Sequence, residues 1–193
     1  MMNTKIKIII LTLFVLIGAS GILLVSISRA SLEIMKKEDR EGRLRTEPVI
    51  INDLEIYKLP QSRMLPSNVF YWLKEIRDWI WQKFSPDEED KITVMLILAD
   101  KKISESRTLF EKEKYGLAFI NFEKAIEKLE KSKELAKKIT DNNIFKNETL
   151  YQIKKMLEVY EKIIEEMGKS DKIDKQKYLL LLQKINALKE KEI

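Results

Sequence analysis

Residues Leu65–Glu88 read LPSNVFYWLKEIRDWIWQKFSPDE, and the rest of the chain is organised around them. The stretch holds all three Trp and two of the four Pro. Pro66 has no N–H and a fixed φ, which suits a turn or the start of a helix. Ser67 or Asn68 can then accept from the first free helical N–H groups. Val69, Trp72, Leu73, Ile76, Ile80 and Phe84 follow the i, i+3, i+4 spacing of one helical face. Trp79 and Trp81 lie off that stripe, so the pattern predicts a short helix buried on two sides. At helical spacing the aromatics read first as core, with Trp72 anchoring the short helix onto Leu96, Ala99, Ile103 and Phe122. The alternative is a groove lined by Trp72, Trp79, Trp81, Tyr115 and Phe122, and the three Trp are the candidate interaction residues. Trp81, off the stripe, is expected against the preceding tether or lipid headgroups.

Ser85-Pro86-Asp87-Glu88 has the form of a capping box. Ser85 would accept from the third helical N–H, Glu88 would reach back to Ser85, and Pro86 would take the first helical position. Asp87, Glu88, Glu89 and Asp90 place negative charge at the positive end of the helix dipole. The same run could be read as a cation site, but hard cations need convergent oxygens on a loop, which this pattern does not provide. The acidic run is therefore taken as a helix start, and no metal or other cofactor is expected.

These residues carry a resemblance. Leu65-Pro66-Ser67-Asn68-Val69-Phe70-Tyr71-Trp72-Leu73-Lys74 is similar to the opening of a bacterial domain family of unassigned function, whose pattern is close to LPSNPFYxLK. Val69 stands where that family usually has Pro. The family continues with a short aromatic helix, a Phe-x-Pro element and a long helix rich in Ala, Glu and Lys. Here that element is Phe84, Ser85, Pro86 and Asp87. The resemblance covers roughly Asp53 to Lys138. It implies an architecture, often on a membrane anchor, and no catalytic residue.

The 193 residues are 45% hydrophobic and 35% charged, enough for one small globular domain with appendages. Gly and Pro are sparse and Lys and Glu abundant, which favours an all-α fold. There is no His and no Cys, which removes imidazole, thiolate and the usual zinc chemistry, and also lipoprotein attachment. The net charge is +5, of which Lys5 and Lys7 supply two ahead of Arg29. The remainder is a mixed surface, not the concentrated basic face of a nucleic-acid binder.

Residues 8–27 carry no charge. At ~1.5 Å per residue they would cross a hydrocarbon core of ~30 Å. Residues 1–28 are thus expected to form a transmembrane anchor, the membrane partner of the chain. A cleaved signal peptide is the alternative, with small residues at Ser26, Ser28 and Ala30. Lys5 and Lys7 favour a cytoplasmic N-terminus, although Arg29, Lys36 and Lys37 on the other side are basic too. The shortness of the N-terminal tail decides for an extracytoplasmic bulk.

Residues 29–64 read as a stalk and an extended tether. The anchor helix is expected to continue into Arg29–Arg45. Thr46–Pro60, with Val49-Ile50-Ile51 and Leu54-Glu55-Ile56-Tyr57, is taken as extended and without a strand partner, so no sheet is expected.

Residues 65–193 are expected to form an antiparallel up-down bundle of one short and about four long helices. The first long helix carries Ile92, Met95, Leu96, Ala99, Ile103, Ser106 and Phe110 and ends near Glu113. The second runs from Tyr115 to Ile139, and Thr140-Asp141-Asn142-Asn143 closes it. A third carries Leu150, Ile153, Leu157, Tyr160, Ile164 and Met167 and stops at Gly168, read as its C′ residue. The last carries Tyr178, Leu181, Leu182, Ile185 and Leu188. Tyr115-x-x-Ala118-x-x-x-Phe122-x-x-Ala125 resembles the second helix of a tetratricopeptide repeat. Ser106 stands where that repeat wants Gly, Lys102 where it wants Trp, and no second copy follows.

No catalytic residue is assigned. Glu127–Lys131, Glu130–Glu134 and Glu161–Glu165 place like and unlike charges at one spacing, so they mark solvated faces. The Asn147-Glu148-Thr149 sequon is the kind of tripeptide chance supplies. The leading expectation is a membrane-anchored extracytoplasmic helical module that binds an unidentified protein and not nucleic acid. A partner-dependent envelope sensor and a peptide-binding repeat are the alternatives.

Overall fold

Ile92–Ala99 is apolar at every position but Thr93, and all seven apolar side chains are buried. A helix that is apolar around its circumference must be enclosed. This one is the centre of the molecule. The computed structural model describes residues 4–40, 46–51, 54–62 and 64–190. In chain order these form α1 (Thr4–Arg40), β1 (Thr46–Ile51), β2 (Leu54–Pro60), α2 (Tyr71–Lys83), α3 (Glu88–Glu111), α4 (Tyr115–Lys138), α5 (Asn143–Gly168) and α6 (Lys175–Glu190). Helix α3 meets α2, α4, α5 and β2, and its pairing with α4 is the most extensive in the molecule. After the apolar N-terminal helix, α2–α6 pack antiparallel, the bundle that the sequence predicts.

The expected core positions of α3 to α6 fall inside. Ile92, Ile103, Phe122, Leu129, Tyr160 and Ile185 belong to one buried cluster that runs through all four long helices. Ala118 and Ala125 are buried beside it, and the Ser106 hydroxyl donates to the Ala118 carbonyl at 2.8 Å. Small side chains at these positions let α3 and α4 approach closely. At the head of α5 the Asn142 side chain accepts from the Phe145 N–H at 3.0 Å, one of the turn formers acting as a cap.

Four local expectations are corrected. First, β1 and β2 do pair, antiparallel, with Val49 opposite Tyr57 and an irregularity after Val49. Val49 and Leu59 are buried in the main cluster and Tyr57 packs against it, so the hairpin is stabilised by α3 and not by its own ladder. The signal in the sequence is Asn52-Asp53 between the β-branched run Val49-Ile50-Ile51 and the alternating Leu54-Glu55-Ile56-Tyr57. Those two residues, and residues 41–45 of the expected stalk, lie outside the described residues.

Second, Ser85 is not the cap of α3. Its hydroxyl donates to the Trp81 carbonyl at 2.7 Å, closing the end of α2. Asp87 is extended and accepts from the Asp90 N–H at 2.7 Å, so Pro86 precedes the helix instead of opening it. Third, α2 starts at Tyr71, later than Ser67 or Asn68 would place it. The Leu65–Asn68 segment is a turn, with the Asn68 N–H donating to the Leu65 carbonyl at 2.9 Å. Fourth, Gly168 is the last residue of α5, and the capping residue Lys169 is right-handed, so no left-handed C′ glycine is needed. What Gly168 supplies is room: a Cβ there would lie 2.6 Å from the Tyr178 ring of α6.

Candidate functional site

Helix α2 is amphipathic in the reverse sense of a surface helix. Its residues step round the axis at ~100° each. One arc holds Tyr71, Lys74, Asp78 and Trp81, all buried. The opposite arc holds Trp72, Leu73, Ile76 and Trp79, all exposed, with Phe84 exposed just beyond the helix. The core assignment of Trp72 is therefore overturned: it is 57% exposed, as is Trp79, whereas Trp81 is only 5% exposed. Trp81 instead faces inward. It forms a second small cluster with Val94, Ile97 and Leu98 of α3. The structure thus divides the three candidate Trp, two outward and one inward.

The inward arc is polar because α3 offers charge there. Glu105 of α3 is fully buried. Its carboxylate accepts from the Tyr71 hydroxyl at 2.6 Å, the Lys74 ammonium at 2.6 Å and the Ser62 hydroxyl at 2.8 Å. Lys102, also buried, donates to the Tyr71 hydroxyl and to Glu75. Lys74 also meets Asp78 at 3.2 Å, and Asp78 is gripped by Arg77 at 2.6 Å. The Arg77 guanidinium in turn lies 4.5 Å from the Trp81 ring centroid. Six charged side chains and a phenol are thereby brought together between α2 and α3, each donor facing an acceptor.

The electrostatics follow from that arrangement. Burial, reinforced by the adjacent Glu105 charge, holds the Tyr71 phenol far above its usual range. Burial would raise Glu75, but the hydrogen bond and charge of Lys102 outweigh it and bring its carboxyl down to about 2. Deeper in the bundle, Asp100 accepts from Tyr57 of β2 and Tyr160 of α5, each at 2.8 Å. Burial, with Asp100 beside it, raises the Tyr160 phenol as well. At neutral pH the Tyr71 and Tyr160 phenols keep their protons and the Glu75 carboxyl keeps its charge. Such a network fastens α2, α5 and β2 to α3.

Two openings border the outward arc. An apolar groove of about 570 Å³ is lined by Gly18, Gly21, Ile22, Val25 and Ser26 of α1 and by Trp79, Ile80 and Phe84. On the other side of Trp79 a polar groove of about 280 Å³ is lined by Lys102, Lys124, Lys128 and Lys131 together with Glu75, Asp78 and Glu127. Burial lowers the Lys128 ammonium to about 8, while its Nζ donates to the Gln82 side chain at 2.9 Å. Sequence reasoning missed this second groove, since its residues come from three helices and none stands out alone. Among the described residues, no three carboxylates converge as a metal site.

An apolar N-terminal helix, a small hairpin and a five-helix antiparallel domain define the class: a mostly helical protein with one N-terminal hydrophobic segment. Residues 63–191 match the family described as Domain of unknown function (DUF5667), and the chain belongs to that family. The match begins later than the Asp53 start traced from the opening motif, and it runs past Lys138 through α5 and α6. No curated protein and no solved structure matches the chain.

Proposed function

We propose that this chain is a single-pass membrane protein whose helical domain stands outside the cytoplasm and binds another protein there, without catalysing a reaction. The observation that carries the anchor is the 18-residue segment Ile10–Ile27, which is apolar and has none of its length buried by the rest of the chain. Water is a poor solvent for such a surface and a bilayer a good one. Lys5 and Lys7 on the N-terminal side favour retention of that end in the cytoplasm. The non-catalytic reading is supported by the lack of His and Cys and by the saturated pairing of Glu105 and Asp100.

Fusions of alkaline phosphatase and of a cytoplasm-only fluorescent protein after Ile193 test the topology. Phosphatase activity without fluorescence is expected, and the reverse pattern overturns it. Mass spectrometry of the mature N-terminus separates an anchor from a cleaved signal, for which a start near Ser31 would be diagnostic. Proximity labelling from the outer face then identifies the partner.

A further inference from the structure

The polarity of α2 is wrong for a helix whose outer face meets water. It buries Lys74 and Asp78 and presents Trp72, Leu73, Ile76 and Trp79. Exposed single apolar residues are ordinary, but a contiguous arc on one helix calls for an apolar neighbour. Helix α1 packs against α2 and shares a groove with Trp79, Ile80 and Phe84 at the C-terminal end of this arc. Trp72, Leu73 and Ile76 continue the same surface beyond it.

We infer that the outward face of α2 lies in the headgroup region of the bilayer that surrounds α1. The inference rests on reading α1 as an anchor, and depth supports it. The α1 residues that line the shared groove centre on Ile22, five positions before Ile27. At ~1.5 Å per residue that is about 7.5 Å inside the end of the apolar span. Amphipathic helices lying in the interface sink their apolar faces ~5–10 Å. The α2 face is therefore held, by its contact with α1, at the level where lipid replaces water. Trp rings favour that level because they combine a large apolar body with one N–H donor. The exposed Lys83, in the last turn of α2, has a flexible stem that can carry its charge up to the headgroups. Past Trp79, Lys124, Lys128 and Lys131 border the same edge and suit phosphate-bearing lipids. The polar inward arc follows from the same arrangement, since α2 is fastened to α3 by ion pairs and hydrogen bonds while its apolar face is left for lipid.

The test uses the full-length chain reconstituted into vesicles of phosphatidylcholine and phosphatidylglycerol. Flotation is read first; a chain that stays with the aqueous fraction overturns both the anchor and the inference. For the chain that floats, lipids brominated near the headgroup end of the acyl chain should remove most of the Trp emission of the wild type. The Trp72→Phe/Trp79→Phe variant retains only Trp81, which faces α3, and should lose that quenching. Quenching that persists in this variant would assign the lipid contact to Trp81 and overturn the inference. Wild-type emission quenched by aqueous acrylamide but not by bromolipid would place the face in water. Emission protected from both quenchers would mean that a second protein surface, such as another copy of this chain, covers it. Either result overturns the inference while leaving the anchor standing.

Discussion

The Tyr71 hydroxyl on α2 donates to the buried Glu105 carboxylate on α3 at 2.6 Å, and Lys74, one turn along α2, donates to the other oxygen at 2.6 Å. This pair of contacts, not an apolar seam, fixes how α2 sits on the bundle. Apolar residues usually perform that task because burial of charge costs more than its pairing returns. Here the ions come as an interlocked set, and Trp81 adds an apolar hold against Val94, Ile97 and Leu98 of α3.

Breaking that set should be costly. Glu105→Ala leaves Lys74 and Lys102 buried without their shared acceptor and should cost ~3–5 kcal/mol in chemical denaturation. Tyr71→Phe removes one donor from a carboxylate that keeps others and should cost less, ~1–3 kcal/mol. Equal midpoints for wild type and Glu105→Ala would refute the role given to this carboxylate.

The two kinds of Trp should separate in thermal melts. Trp81→Ala empties a site against Val94, Ile97 and Leu98 and should cost ~3–5 kcal/mol. Trp72→Ala changes an exposed side chain and should stay within ~0.5 kcal/mol of wild type in the absence of lipid. Comparable losses in the two variants would return Trp72 to the core.

The contrast explains what could be read from the sequence. In α4, α5 and α6 the apolar positions are where period 3.6 puts them, because each helix has one wet face and one dry one. Helix α2 breaks the assumption beneath that reading. Its apolar stripe was real, but periodicity says only that two faces differ, not which one the protein covers. Deciding that needed Glu105 and Lys102, which are distant in sequence and look like ordinary surface residues on a charged helix. Helix α3 hid them for a related reason: enclosed by α2, α4, α5 and β2, it buries polar residues that one-face reasoning places in solvent. The β-hairpin is hard to see in the sequence because two residues alone separate Ile51 from Leu54, so both strands fall within one extended segment.

The start of α3 offers a sharper local test. Asp87→Ala removes the side chain that accepts from the Asp90 N–H and should cost ~0.5–2 kcal/mol. Ser85→Ala removes a bond to the Trp81 carbonyl at the end of α2 and leaves that cap intact. Helix-specific hydrogen exchange should therefore show faster exchange at the first turn of α3 in Asp87→Ala only. Faster exchange there in Ser85→Ala would restore the capping box.

Stability should respond to pH in three windows with different signs. Glu75 is held at about 2 against an ordinary 4.5, so its contribution is present above 4.5 and is lost as pH falls from 4.5 towards 2. Lys101 and Lys128 are each lowered by burial to about 8 from 10.5. Below 8 both folded and unfolded chains carry these charges, and the cost of burying them is fully present. Between about 8 and 10.5 the folded chain has released protons that the unfolded chain still binds, so stability rises with pH. Tyr71 and Tyr160 reverse the trend. Their phenols are held above the ordinary 10.0, so above that pH the unfolded chain ionises first and stability falls. Denaturation midpoints should therefore climb from pH 8 to a maximum near 10 and then drop. Lys128→Met keeps most of the stem while removing the charge. It should raise the midpoint at pH 7 and flatten the climb. A flat alkaline profile in the wild type, or a climb of full size in Lys128→Met, would show that the ammonium in the groove beside Trp79 is well solvated.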